Sequence, residues 1–424
     1  MGDRPARPLI LLAIAASLLP NVLIVPGHAS HDGQRLRCFG RRATIVGTDG
    51  DDVVIGSRGD DVIVALDGSD EVYGLGGRDV ICSGAGEDVA DGGAGFDLVA
   101  GGNDADEVFG GKGSDFVAED HRLFALADAG TESADDVYGG GPGDDYVADD
   151  AGSDSIEGGA GKDTFFGVFS YEPLVVDLAR GVAVTPAEVN TLSGIENAVG
   201  SLASDVVVGD DGPNVLMGLF GPDVVLAGGG PDLVMSEGDG DVIAGGDAVD
   251  ALFATVNERV EADLEQGTMT TAGGGEAVRF TGVEDFIGTA KDDLVVGSDD
   301  ANRLYGGSGD DALDGASGND SIIGDSPLEP WIDIGRWKME YPPRGHDLLD
   351  GGDGRDLLDG GPFRDICRNG ERLRRCESRR GRDVRPVAAR ANAWRPAAPL
   401  RTWLLGLLTA DSPSEFRAPR WGRG

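Results

Sequence analysis

Apolar side chains in the first part of this chain recur with a beat of nine. From Gly47 to Ala118 the sequence divides into GTDGDDVVI, GSRGDDVIV, ALDGSDEVY, GLGGRDVIC, SGAGEDVAD, GGAGFDLVA, GGNDADEVF and GGKGSDFVA, with no slip of register. The eighth position is Val or Ile except at Ala90, and the first six positions are small, polar and rich in Gly. Self-similarity at a fixed period signals a stacked-repeat architecture. Positions seven to nine read as a short strand whose middle residue points inward. The Gly-rich stretch reads as a tight turn through positive φ. Two nines then make one coil, strand–turn–strand–turn, and successive coils stack as parallel strands about 4.8 Å apart. The predicted fold is all-β, a parallel β-solenoid.

The sixth position is Asp in all eight units: Asp52, Asp61, Asp70, Asp79, Asp88, Asp97, Asp106 and Asp115. Stacking places these carboxylates in two columns, one along each edge. Two carboxylates about 5 Å apart repel by roughly 3 kcal/mol at an effective dielectric near 20. Cations between them remove that repulsion, and Ca²⁺ suits such a site because it accepts six to eight carboxylate and carbonyl oxygens in loose geometry. A metal-free solenoid whose Asp side chains only close hydrogen-bonded turns is the alternative.

The units resemble the RTX, or hemolysin-type, calcium-binding nonapeptide GGxGxDxUx, which GGAGFDLVA and GGKGSDFVA match in full. The resemblance implies a parallel β-roll with Ca²⁺ held in the turns between neighbouring coils. The pattern returns in arrays at 131–166, 200–253, 288–323 and 342–368. It makes Asp136, Asp145, Asp154, Asp163, Asp205, Asp223, Asp232, Asp241, Asp311, Asp320, Asp347 and Asp356 further candidate ligands. Asn214 and Asn302 replace the carboxylate and predict weaker sites, because affinity follows ligand charge. Units whose fourth residue is not Gly (Asp104, Ala203, Asp239, Ala248, Lys291, Asp300, Phe363) are also expected to bind poorly.

Two departures, 167–199 and 254–287, resemble each other: VVDLARG then LSGIENAVGS, and EADLEQG then FTGVEDFIGT. They read as wider coils of the same solenoid. Their acids, Asp177 with Glu196 and Asp263 with Glu284, invite comparison with a paired-carboxylate hydrolase, but nothing in the sequence marks a cleft around them. The interruption EDHRLFALADAG follows Ala118. A second insertion, Ser326–Tyr341, gathers Trp331, Trp337 and Tyr341 in a chain otherwise poor in aromatics. Such residues either cover the flank of a solenoid or stack on a sugar or protein partner.

The ends differ from the body. Residues 1–29 read as a secretory signal, with Arg4 and Arg7 before the apolar run Leu9–Leu19 and Gly27-His28-Ala29 at a cleavage site. An uncleaved anchor is the alternative. Residues 30–46 form an N-terminal cap, 47–368 the roll, and 369–424 a Cys-closed loop and a basic tail without nines. Four Cys allow three pairings; local staples Cys38–Cys82 and Cys367–Cys376 would close the two ends and suit an oxidising destination. The formal charge is −41, concentrated in an acidic roll between basic ends, and it argues against direct binding of the roll to nucleic acid or anionic lipid. No HExxH, GxSxG or Walker loop occurs.

The sequence thus predicts a secreted, extracellular calcium-binding β-roll that is not an enzyme, folds on calcium and has no stable membrane insertion. Its role would be structural or interactive, with an unidentified cell-surface or carbohydrate partner. A polysaccharide-modifying or carbohydrate-binding protein using the wide coils or the Trp-rich loop is the competing reading.

Overall fold

The computed structural model describes residues 36–119, 134–149, 151–167, 172–325, 345–361 and 364–376. The signal segment, the interruption after Glu119, the Trp-rich insertion and the basic tail lie outside the described residues. No helix occurs among those described, and none is long and apolar enough to cross a membrane. The chain divides into two units, one through Asp163 and one from Thr164.

In the first unit the nines build two parallel sheets. One takes Val53–Ile55, Glu71–Tyr73, Val89–Ala94, Glu107–Lys112, Val137–Pro142 and Ser155–Ala160 in order. The other takes Ile45–Val46, Val62–Asp67, Val80–Ala85, Leu98–Asn103, Phe116–Ala118 and Tyr146–Ala148. Val53 sits opposite Glu71 and Val62 opposite Val80, so the offset is one pair of nines and each coil contains two. Eighth-position residues such as Val54, Ile63, Val72, Ile81, Val99 and Val117 are fully buried between the sheets. Across the interruption Phe116 pairs with Tyr146, thirty residues on instead of eighteen, and the strand register resumes beyond it.

The sheets differ on their outer faces. Leu98–Ala100 and Phe116–Ala118 bury all three residues, whereas Glu107 and Ser155 in the opposite sheet are exposed. The N-terminal hairpin, Arg37–Cys38 against Arg41–Arg42, explains part of this. Cys38 is disulfide-bonded to Cys82 of the second sheet, and Phe39 meets Phe116 edge-on with ring centroids 6.4 Å apart.

In the second unit the nines alternate with the two departures. Strand Val175–Asp177 pairs in parallel with Val206–Val208, then folds back antiparallel as Val182–Val184 and again as Val189–Ser193. Val260–Asp263, Thr268–Thr271 and Val278–Thr281 repeat this arrangement, with Val260–Asp263 parallel to Leu294–Val296. Both departures are therefore wider coils interleaved in a parallel β-roll, each adding an antiparallel excursion. Cys367–Cys376 closes a loop beside the final strands, and Arg375 grips Asp359 through two hydrogen bonds of 2.6 and 2.7 Å.

Candidate metal centre

The sixth-position carboxylates stand in columns, and one oxygen of each is bound to the preceding coil. Asp70 Oδ1 accepts the backbone N–H of Asp52 at 2.8 Å, and Asp79 Oδ1 that of Asp61 at 2.8 Å. The bond recurs from Asp70 to Asp88, Asp79 to Asp97, Asp88 to Asp106 and Asp97 to Asp115. It spans the interruption from Asp106 to Asp136 and from Asp115 to Asp145, then continues to Asp154 and Asp163. In the second unit it joins Asp205 to Asp223 to Asp241, Asn214 to Asp232, Asn302 to Asp320 to Asp356, and Asp311 to Asp347. This bond fixes the orientation of each carboxylate that accepts it.

The second oxygen separates the units into groups. In Asp70, Asp79, Asp88, Asp97, Asp106, Asp223, Asp232, Asp311, Asp320, Asp347 and Asp356, Oδ2 is buried and has no hydrogen-bond donor. A buried carboxylate oxygen without a partner costs several kcal/mol. These oxygens also converge on backbone carbonyls. A Cβ placed on Gly92 would lie 2.6 Å from the carbonyl oxygen of Gly110 and 2.9 Å from Asp97 Oδ2. At Gly315 the same point is 2.5 Å from Asp320 Oδ2 and 3.0 Å from Gly351 O. The first-position Gly thus keeps clear a cradle between a carboxylate of one coil and a carbonyl of the next. The fourth position needs Gly for a different reason: Gly95 has φ +152°, and a Cβ there would strike the Gly77 carbonyl.

Without a cation, burial pushes these carboxyls up, and neighbouring carboxylates push further. Asp79 and Asp88 rise to about 7, Asp223 and Asp347 to about 8, and Asp106 and Asp311 to about 9. Hard carboxylate and carbonyl oxygens with no cationic side chain among them fit Ca²⁺, which when bound neutralises the column and takes up its free oxygens.

Other units satisfy the second oxygen internally. Asp52 Oδ2 accepts the N–H and hydroxyl of Thr48 at 2.7 and 2.9 Å, and Asp61 Oδ2 accepts the Ser57 N–H at 2.7 Å. Ser201 donates both its N–H and its hydroxyl to Asp205. Ser236 Oγ donates to Asp241 Oδ2 at 2.5 Å, and the Tyr138 hydroxyl to Asp136 Oδ2 at 2.8 Å. Asp154 is raised by burial, against a side-chain hydrogen bond to Asp149. The twenty sequence-predicted ligands thus differ in how many of their oxygens are already bonded.

Altered fourth positions do not act uniformly either. Asp104 and Ala248 adopt the positive φ of their Gly counterparts, at 72° and 104°. Ala203, Lys291 and Asp300 belong to turns that never enter that region. Phe363 lies outside the described residues. Glu237 is a carboxylate that reasoning from the nonapeptide missed. It occupies the second position of a unit beginning at Ser236, and burial, with Asp241 and Asp223 behind it, holds it well above the usual range. Its signal was an acid where the repeat has Gly.

The acids of the wide coils have local tasks. Asp177 accepts the Arg180 N–H at 2.9 Å and pairs with its guanidinium at 2.8 Å, and Asp263 accepts the Gln266 N–H at 2.8 Å. Glu284 Oε2 takes the Asp250 N–H at 3.0 Å, standing in for a sixth-position Asp, and Glu196 gives its backbone carbonyl to Asn214 Nδ2 at 2.7 Å.

A family model, the RTX calcium-binding nonapeptide repeat in four copies, matches residues 46–81, 83–117, 139–168, 199–234, 208–243, 287–322 and 344–367. No curated protein matches the chain.

Proposed function

Because the chain is an RTX calcium-binding nonapeptide repeat protein, we propose that it is exported and folds outside the cell when calcium fills its turns, serving a structural or interaction role without catalysis of its own. The observation that carries this reading is the row of buried Oδ2 atoms without donors. Each is a site that a divalent cation would stabilise and water cannot reach. One buried Val per nine contributes about 2 kcal/mol, less than the repulsion within a close carboxylate pair at roughly 3 kcal/mol. Calcium therefore decides whether the arrays fold. Both cystine bridges and the N-terminal apolar run support an oxidising, extracellular destination. The chain would cross the membrane extended and fold where calcium is near the roughly 0.1–1 mM range of extracellular modules.

The test is far-UV circular dichroism of the EDTA-treated mature chain during titration with Ca²⁺ and, separately, Mg²⁺. A β-signal that grows with Ca²⁺ and hardly with Mg²⁺ is expected, since Mg²⁺ demands strict octahedral geometry and keeps its waters. A full β-spectrum in EDTA, unchanged by millimolar Ca²⁺, would refute the reading.

A further inference from the structure

Six turns differ from the rest in two independent respects, and they occupy the first two nines of three arrays. Their second residues are Thr48, Ser57, Ser201, Asp210, Thr289 and Ser298, where most other units have Gly, Leu or Ala. In all six the second-residue N–H donates to the sixth-position side chain of the same turn: Asp52, Asp61, Asp205, Asn214, Asp293 and Asn302. Hydroxyls of Thr48, Ser201 and Thr289 add a second bond to the same carboxylate. The backbone separates them as well. Most inner turns take positive φ at the second and fourth positions, as at Gly93 (101°) and Gly95 (152°), or Gly307 (105°) and Gly309 (139°). Neither position does so in the six.

This difference has a physical cause. Each of the three arrays follows a segment without nonapeptides: the N-terminal cap or a wide coil. The first coil of each array therefore has no nonapeptide turn before it, and it closes on its own donors. Two of the six turns have Asn in place of Asp, and there the Nδ2 groups of Asn214 and Asn302 donate to the carbonyls of Glu196 and Glu284 at 2.7 Å. An amide at this position spends its nitrogen on the preceding coil and leaves one neutral oxygen beside the next coil's carbonyl, where inner turns place a carboxylate. Asp293 is raised to about 7 by burial, yet both its oxygens have donors, from Val260 and Thr289.

We propose that coils 47–64, 200–217 and 288–305 are cation-free lead coils, closed by protein hydrogen bonds, and that each provides the finished edge on which the calcium-dependent coils of its array assemble. A second-position N–H donated to the sixth-position side chain of the same turn marks a lead turn, and positive φ at the second and fourth positions marks a calcium turn. The proposal rests on the calcium reading above.

Bound Ca²⁺ per full chain, measured by equilibrium dialysis with elemental analysis, tests it. The variant D52N/D61N/D205N/D293N makes every lead turn resemble those of Asn214 and Asn302, and it should bind as many ions as the wild type. The variant D79N/D97N/D223N/D311N should lose about one ion per carboxylate replaced. Equal losses in the two variants would overturn the proposal, whereas a wild type that binds no calcium would overturn the calcium reading instead. Hydrogen exchange on the wild-type chain in EDTA needs no variant. Peptides covering 47–64, 200–217 and 288–305 should keep protection that peptides from 83–117 lose, and exchange of both at the same rate would defeat the idea of a preformed edge.

Discussion

The calcium arrays and the wide coils build the same kind of roll by different means. An array coil places one fully inward residue per nine, such as Val99 or Val117, and surrounds it with Gly and carboxylates. The wide coil at 254–287 buries Val260, Ala262, Leu264, Met269, Val278, Phe280 and Val283. It also adds an antiparallel excursion whose turn is closed by Asp263 and Gln266. Hydrophobic burial and hydrogen bonding hold the second kind of coil. The first has traded apolar area for sites that an ion must complete. One backbone path thus accommodates a ligand-dependent and a ligand-independent coil, and the choice is written at a few turn positions.

The largest effect expected from this difference is on the pH dependence of the calcium-free chain. In that state Asp70 is raised to about 6, Asp79 and Asp88 to about 7 and Asp106 and Asp311 to about 9, chiefly by burial. Folded values above the unfolded value of about 3.9 mean that folding favours the protonated carboxyl. The contribution to stability is complete below that unfolded value and is lost as pH rises through the window from 6 to 9. In EDTA the arrays should therefore gain β-signal on acidification from pH 9 to pH 5. With calcium present the dependence should reverse, because the ion competes with the same protons. Circular dichroism across that range, with and without calcium, reads both signs. Equal pH dependence in the two conditions would mean that array carboxylates and cations do not share a site.

Next in size is a core truncation in a wide coil. Phe280→Ala should cost about 3–5 kcal/mol. The loss should be the same at saturating and limiting calcium, measured by urea denaturation of the loaded chain and by local hydrogen exchange in EDTA. Val99→Ala, in an inner array coil, should be felt only when calcium has folded that coil. If both substitutions depend on calcium alike, the two kinds of coil are one cooperative structure and the distinction fails.

Much of this was legible in the sequence because the repeat is rigid in register. The eighth position is buried as its period requires, the offset between paired strands is two nines, and the Asp residues line up because the period is never broken inside an array. The interruptions were harder to place. Gly324 is the first residue of the turn that Asp347 completes, since a Cβ on Gly324 would meet the Asp347 carboxylate. The unit therefore opens at Gly324, although counting back by nines from Asp347 starts it at Pro342. The sequence signal at Thr48, Ser57 and Ser201 was visible but had no meaning until their donors were seen to reach the carboxylate four residues on. Nine-residue periodicity specifies where a side chain stands along the roll. It does not specify how many of that side chain's lone pairs are already used.

A smaller effect is expected at the C-terminal end. The Cys367–Cys376 bridge closes a short loop, and a constraint of that size is worth about 2–3 kcal/mol in the chain-entropy description. Cys367→Ser should loosen the strands Ile366–Arg368 and Arg372–Arg374 while the arrays before Asp325 keep their exchange protection, because stability in a solenoid is close to a sum of neighbour terms. The Arg375–Asp359 pair remains to hold the last coil. Loss of protection throughout the chain would show that the end nucleates the whole roll.

The smallest effect separates the two jobs of Asp177. Its Oδ1 accepts the Arg180 N–H at 2.9 Å and its Oδ2 pairs with the guanidinium at 2.8 Å. The carboxylate is almost buried and the Arg180 side chain is largely exposed, at 82%. An exposed ion pair contributes about 0–1 kcal/mol, because water screens it and holding the long side chain costs entropy. Replacing a turn-closing Asp removes a bond to backbone that nothing else supplies, which costs about 0.5–2 kcal/mol at comparable positions. Arg180→Ala should therefore leave the melting temperature nearly unchanged, and Asp177→Ala should lower it measurably, with or without calcium. A larger loss from Arg180→Ala than from Asp177→Ala would mean that the wide coil, like the arrays, depends on neutralised charge rather than on the turn its carboxylate closes.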